Sequence, residues 1–540
     1  MGLGNLDFGI IGFYFVLVFG VAIWSMRKRD KTTDGYFLGG KNLHWFVIGA
    51  SLFASNIGSE HLIGLAGQGA SGDFVAGQFE LLASLILLLL GWVFVPFYVR
   101  TGVSTMPEFL EKRYDSWSRS YLSWVSIVAY ILTKISVTIA AGGIVFTALL
   151  GVNFWVGAAV IVFATGLYTI IGGLRAVAYT DLLQMFILIG GAIAVTMDGL
   201  GEIGGWNEMV ARVTPEHTSL WRSLDDKSFP WAGILFGAPI LGVWYWCTDQ
   251  FIVQRVLAAK NLNHARKGSI FAGYLKLLPI FIFVLPGVVA YAMTQGPNPS
   301  LELPLENGKV LYDAALPALT LQVLPAGLKG LVTAGLLAAL MSSLSSVFNS
   351  SSTIFTLDIY KKWNPGVTEA RLVTVGRIVT LVLVVLGLLW IPLLRVIEGG
   401  LFQQLQAIQA YISPPIAAVF LLGIFFKKLN ATGAKFALLT GAVLGTIRLV
   451  MEIMNNSTEG GLPGVLGDFA TFNFLYFALL LFIICSLVLI FVSLRSDRGV
   501  TESAEALTYK KGSLEVESTL NVILSVVLVI CVIALWVVFR

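Results

Sequence analysis

Long apolar runs recur along this chain, and a run of about twenty apolar residues is what an α-helix needs to cross the ~30 Å hydrocarbon core of a bilayer. Run length predicts about fourteen spans. Their bounds are 7–26, 44–67, 76–99, 120–149, 153–173, 177–199, 231–253, 268–293, 325–360, 372–394, 401–425, 433–454, 470–494 and 519–539. Backbone polar groups in lipid must be satisfied within the segment, so such runs become helices and the expected fold class is an all-α membrane protein. The composition agrees: 57% of the 540 residues are hydrophobic and 12% charged, about half the usual charged fraction of a soluble protein. One bundle in lipid is expected, not several aqueous domains. Runs 120–149 and 325–360 outlast the bilayer, so they tilt or project. Residues 7–26 read as a retained first span, since the start lacks the basic residues and cleavage site of a signal peptide.

Basic residues orient the bundle. Arg27, Lys28, Arg29 and Lys31 follow the first span, and alternate loops continue the set with Lys112, Arg113, Arg175, Arg266, Lys267, Lys361, Lys362, Lys427, Lys428, Lys510 and Lys511. The positive-inside rule makes these loops cytoplasmic and both termini extracytoplasmic. The expected site is a plasma membrane or a bacterial inner membrane. The net charge of +4 comes with no basic stripe carrying interleaved aromatics, so nucleic acid is not an expected partner. Three scattered cysteines and four scattered histidines form neither a disulfide framework nor a metal-ligand spacing. No HExxH-type or nucleophile motif points to an enzyme.

Two spans look broken. The second reads Ala54-Ser55-Asn56-Ile57-Gly58-Ser59-Glu60-His61, with Gly64, Gly67 and Gly69 following, and the seventh reads Gly237-Ala238-Pro239-Ile240-Leu241-Gly242. Paired interruptions five spans apart point to an inverted-repeat transporter with its site near the midplane. Glycine and proline also serve ordinary helix packing in membranes.

An ionisable residue at mid-bilayer costs at least ~2.5–3.5 kcal/mol on insertion scales. Glu60, His61, Glu80, Lys134, Asp181, Lys276 and Arg448 fall inside predicted spans; each needs a functional site or a structural pair. Arg448, late in its span, reads as snorkelling and Lys134 as structural. Ser342, Ser345, Ser346, Asn349 and Thr353 share one helix face, with Ser343 beside them. Such hydroxyls suit a hard monovalent cation, and equally a small-residue packing stripe. Gln403, Gln406 and Gln409 form an amide stripe able to give and accept hydrogen bonds. Trp244, Tyr245 and Trp246 offer flat faces for a sugar, or an interfacial belt.

These strings resemble the sodium/glucose cotransporters of the sodium–solute symporter family. The resemblance is carried by Ala50–Gly67, Trp92–Arg113 with Thr105-Met106-Pro107-Glu108, Trp244–Lys260, Gly273–Pro279, Met341–Tyr360 and Pro414–Leu422. It runs over nearly the whole chain. It implies a single transporter domain over 1–540 with a leucine-transporter-type core: an extra first span at 7–26, inverted repeats at 44–199 and 231–425, and additional spans over 433–540. It further implies alternating access, Na+ as coupling ion with no organic cofactor, and a small sugar as substrate.

Residue by residue, the resemblance implies sugar contacts at Asn56, His61, Glu80, Lys276 and Gln406. Tyr245 matches the aromatic gate beneath the sugar, Trp246 its stacking partner, and Phe79 sits beside Glu80. A main sodium site maps to carbonyls of Ala54, Ile57 and Ala339 and hydroxyls of Ser342 and Ser343. A second, present in some members, maps to Asp181, Ser342, Ser345 and Ser346. Gly242, Ala83 and His61 depart from residues seen in some relatives. Inositol-transporting relatives share much of the Ser59-Glu60-His61 region, so another polyol, or a sugar-gated sensor or channel on the same scaffold, is the alternative.

Overall fold

The computed structural model describes residues 2–26, 32–295, 299–306, 308–390, 401–458, 460–497, 499–509 and 518–540. Among them, eleven helices are long and apolar enough to cross a membrane. This number and the expected fourteen differ at three places, each an interrupted run. The first is the element Phe154–Ile203, 50 residues long, which if straight would span ~75 Å, far beyond a bilayer. It leaves helical geometry at Gly173 (φ 58°, ψ −159°). A Cβ there would also stand 2.3 Å from the Tyr36 carbonyl oxygen, so both conformation and space demand glycine. The other two are the broken runs that include Trp45–Asn56 and Gly233–Thr248.

The deepest element is the Leu328–Ile354 helix, buried on all sides, which runs on through a wider-turned segment to Trp363. It packs along Phe154–Ile203, and the first helix, Asn5–Met26, lies against both. Asp7 fastens that first helix. Its carboxylate accepts from the amides of Gly327 (2.7 Å) and Gly330 (2.8 Å), satisfying donors that the start of Leu328–Ile354 leaves free. Small residues set the closest approach: a Cβ on Gly287 would lie 1.8 Å from the Ala66 carbonyl oxygen, so two backbones touch there. The Thr519–Val538 helix is buried over only 17% of its apolar window, as a peripheral, lipid-facing helix should be. A two-stranded antiparallel hairpin, pairing Leu305 with Val310 and Glu306 with Lys309, sits in the long loop before residue 315.

Candidate functional site

The first break lies between Trp45–Asn56 and Ser59–Ser71. Ile57 leaves the helix (φ −81°, ψ 85°) and Gly58 is extended (φ −83°, ψ 174°). The Gly58 amide turns to the Asn56 carbonyl (3.0 Å) and the His61 amide to the Gly58 carbonyl (3.0 Å). The carbonyls of Ala54 and Ile57 therefore lose the amides that a continuous helix would send them. These are the two carbonyls expected among the main sodium ligands. The second break is displaced from its expected place. Around Pro239 the chain only changes pitch, with wider π-type turns at Gly233–Gly237 and Val243–Thr248. Such turns absorb the amide that proline lacks. Helical geometry is lost at Asp249 (φ −81°, ψ 125°), whose carboxylate caps the restarted helix Gln250–Leu257 by accepting from the Phe251 amide (3.1 Å).

Between the breaks lies a cavity with about 490 Å³ of empty space, its mouth included. Of the eight expected sugar-binding residues, Asn56, His61, Phe79, Glu80, Tyr245, Trp246 and Gln406 line it. Gln409, Ala83, Ile86 and Gly242 also line it, whereas Gln403 reaches Ser228 of the loop that precedes Gly233 at 3.5 Å. Lys276 stands behind the wall, 0% exposed. Its ammonium bonds both the Glu80 carboxylate and the Asn56 side-chain oxygen. The Asn56 amide in turn donates to the Tyr245 hydroxyl (3.0 Å). Glu80, Lys276, Asn56 and Tyr245 thus form one buried polar chain linking four spans, which satisfies a charge that lipid would otherwise exclude. Trp244, Tyr245 and Trp246 are all buried, so they are not an interfacial belt. Phe402 meets His61 and Phe79 edge-on at 5.9 and 5.6 Å.

The serine face of Leu328–Ile354 meets the first break. The Ser343 hydroxyl donates to the Ser55 carbonyl (3.3 Å) and the Ser342 hydroxyl to Asp181 (2.6 Å). Asp181 also accepts from Ser51 (2.6 Å) and Ser55 (2.9 Å). The Ser345 hydroxyl donates to the Ser342 carbonyl (3.0 Å) and the Ser346 hydroxyl to that of Ser55 (3.0 Å). Ala339 is fully buried on the same helix. Both proposed ion sets therefore meet around Ser342, a cluster of hard, neutral oxygens next to one carboxylate. Such oxygens can replace the water shell of a sodium ion.

A model of the sodium:solute symporter family matches residues 36–441, most of the chain. The chain belongs to the sodium:solute symporter family. Among curated relatives of this symporter is sodium/glucose cotransporter 4 of Mus musculus, 40% identical over 94% of this chain and 78% of that protein. Sodium/glucose cotransporter 1 of Ovis aries is 40% identical over 90% and 78%. The human sodium/myo-inositol cotransporter is 39% identical over 94% and 76%. A solved Na+-coupled sialic acid symporter, 23% identical, superposes with a TM-score of 0.77 over 92% of this chain and 99% of that one. This likeness shows the fold: a leucine-transporter-type helical membrane transporter. The symporter is a multi-pass membrane protein that couples a solute to Na+, and it is not an enzyme.

One residue among the side chains expected at the second ion set escaped the sequence reading. Arg255, 0% exposed, forms an ion pair with Asp181 at 3.4 Å. It also contacts the hydroxyls of Ser55 and Ser346, and its Nε donates to Ser51 (2.8 Å). Its guanidinium thus sits on the second ion set. Arg255 lies just past the expected end of the seventh span at 253, on the helix Gln250–Leu257 that follows the break. Lys134 and Arg448 both have structural partners. Lys134 lies 3.9 Å from the Asp249 carboxylate. Arg448 is buried, not snorkelling, paired with Glu452 at 3.0 Å and donating to the Phe472 carbonyl (3.0 Å). The Glu60 side chain lies outside the described residues.

Proposed function

We propose that this symporter drives uptake of a monosaccharide of the glucose or galactose type, bound in the cavity between the two broken spans. The observation that carries the reading is the cavity wall. It combines a buried carboxylate, three amides and an imidazole with the faces of Tyr245, Trp246 and Phe79. A sugar offers hydroxyl edges to the first group and C–H faces to the second. The sugar set is Asn56, His61, Phe79, Glu80, Tyr245, Trp246 and Gln406, with Lys276 holding Glu80 and Asn56 in place. The main sodium set is Ala54, Ile57, Ala339, Ser342 and Ser343, and the second is Asp181, Ser342, Ser345 and Ser346. The repeats 44–199 and 231–425 each supply one break.

Sodium entering from outside ties the first break to the serine face and so fixes Asn56 and His61 for the sugar. Tyr245 then yields and both solutes leave inward, with both termini extracytoplasmic. The ion drives this only through its different affinity for the two states. One charge crossing ~100 mV supplies about 2.3 kcal/mol, and a tenfold sodium gradient adds about 1.4 kcal/mol. Together they support several-hundredfold accumulation per ion.

A polyol such as myo-inositol is the second reading, favoured by the human inositol relative at 39% identity. Proteoliposomes with an inward sodium gradient and a panel of labelled solutes test both. Concentrative, sodium-dependent uptake of glucose or galactose above inositol is expected. Inositol ahead of both sugars transfers the assignment, and uptake indifferent to sodium overturns the coupling.

A further inference from the structure

Against the Tyr245 ring, and outside the cavity lining, stands a cluster to which neither sugar nor sodium assigns a role. Lys134 comes from the long span Ser116–Leu149. Its ammonium lies 4.0 Å from the Tyr245 ring centroid and 3.9 Å from that of Phe251. It also lies 3.9 Å from the Asp249 carboxylate. These three partners are the three parts of the seventh span's break. Tyr245 is on the helix before it, Asp249 is the non-helical residue, and Phe251 is on the helix after it.

Tyr130, four residues earlier on the same span, reinforces the contact. Its hydroxyl bonds Asp249 and accepts from the Phe251 amide (3.2 Å). Residues four apart share a helix face, so one span grips the break at two levels. Lys134, Asp249 and Tyr245 are each less than a tenth exposed. Attraction between a desolvated cation and a ring is therefore strong, roughly 30-fold in an equilibrium at its upper end.

We propose that Lys134 is a positioning residue that clamps Tyr245 across the inner exit of the cavity, with Asp249 and Tyr130 anchoring the clamp. The inference rests on the reading of that cavity as the solute site. Lys134 touches no solute; it acts through the gate ring. Releasing the clamp lets the break open without sodium and solute, which decouples the two. Lys134 itself is not among the residues that line the cavity.

Cys247 reports this opening whatever the solute. It lies two residues from Tyr245, and its thiol faces the carbonyl of Ile86 (3.8 Å), a cavity-lining residue. In the full-length chain with Cys485→Ala and Cys531→Ala, a small cationic methanethiosulfonate is added in sodium buffer and Cys247 labelling is timed. Lys134→Met should label about 5- to 30-fold faster, and Lys134→Arg should stay near the parent rate. Lys134→Met/Tyr245→Ala should label no faster than Tyr245→Ala alone, because both act on one ring.

Asp249→Asn and Tyr130→Phe, which change charge or one hydroxyl but little shape, should label at intermediate rates. They decide the matter if Lys134→Met does not fold. In vesicles, Lys134→Met should leak solute without sodium while its KM stays within about twofold of the parent. Parent-rate labelling in a folded Lys134→Met, or in both anchor variants, overturns the clamp. Additive rates in the double variant do the same. If parent vesicles accumulate no sugar at all, the monosaccharide reading falls, while the thiol rates still decide the clamp.

Discussion

Arg255 occupies the place proposed for a second sodium ion, and removing it should expose the competition. In the structure its guanidinium neutralises Asp181 at 3.4 Å, with both side chains at 0% exposure. A cation at Asp181, Ser342, Ser345 and Ser346 must therefore displace it. Arg255→Met leaves Asp181 a buried carboxylate with only the Ser51, Ser55 and Ser342 hydroxyls as donors. Breaking a buried pair in this way costs about 3–5 kcal/mol. Sodium can restore much of it: a ligand present at 100 times its Kd stabilises the native state by about 2.7 kcal/mol. The measurement is the melting temperature of purified protein in sodium and in choline chloride. Arg255→Met should melt below the parent in choline, and its sodium-induced rise should exceed the parent's. Asp181→Asn should lose most of that rise. A sodium response in Arg255→Met no larger than the parent's refutes competition at this site.

Three further expectations follow from single contacts. Glu80→Gln removes a charged acceptor from the cavity and an anion from Lys276, so sugar KM should rise at least ~10-fold, the value of a hydrogen bond to a charged group; an unchanged KM removes Glu80 from the sugar set. Gly287→Ala drives a Cβ to 1.8 Å from the Ala66 carbonyl oxygen, backbone against backbone. It should cost about 1–3 kcal/mol or more, seen as a lower melting temperature, and a parent-like melt contradicts the close approach. His217, buried in the loop that follows Phe154–Ile203 and stacked on Tyr291 at 4.2 Å, is held by that burial below its usual 6.5. The unfolded chain then binds the extra proton first, so this stability is present above about pH 6.5 and lost as pH falls through the folded value. His217→Phe keeps the stack without titrating, and should lose less melting temperature than the parent between pH 7.5 and 5.

Much of the cavity was legible because lipid makes polar residues conspicuous. Asn56 and His61 flank a glycine-marked break, Glu80 and Lys276 are lone charges in apolar runs, and Gln406 belongs to an amide stripe, and a reason must exist for each. The place of the second break was less legible. Pro239 and its flanking glycines are the visible signal, yet wider turns absorb them. The helix actually parts at Asp249, where an ordinary Cys-Thr-Asp-Gln string gives no warning. Phe402 carries no polar signal either; only the tertiary packing brings it against His61 and Phe79 of the cavity wall.

From the sequence alone came the class of the molecule and the identity of most polar groups that need partners. Run length against bilayer thickness dictates helices, and unsatisfied backbone in lipid dictates that breaks line a cavity. What only the tertiary structure decided is who partners whom. Lys276 joins Glu80 to Asn56, Arg255 sits on Asp181, and Lys134 grips both sides of a break on another span. Those pairings bring together residues far apart along the chain. They follow from how helices pack and turn against one another, which the order of residues in any one span does not contain.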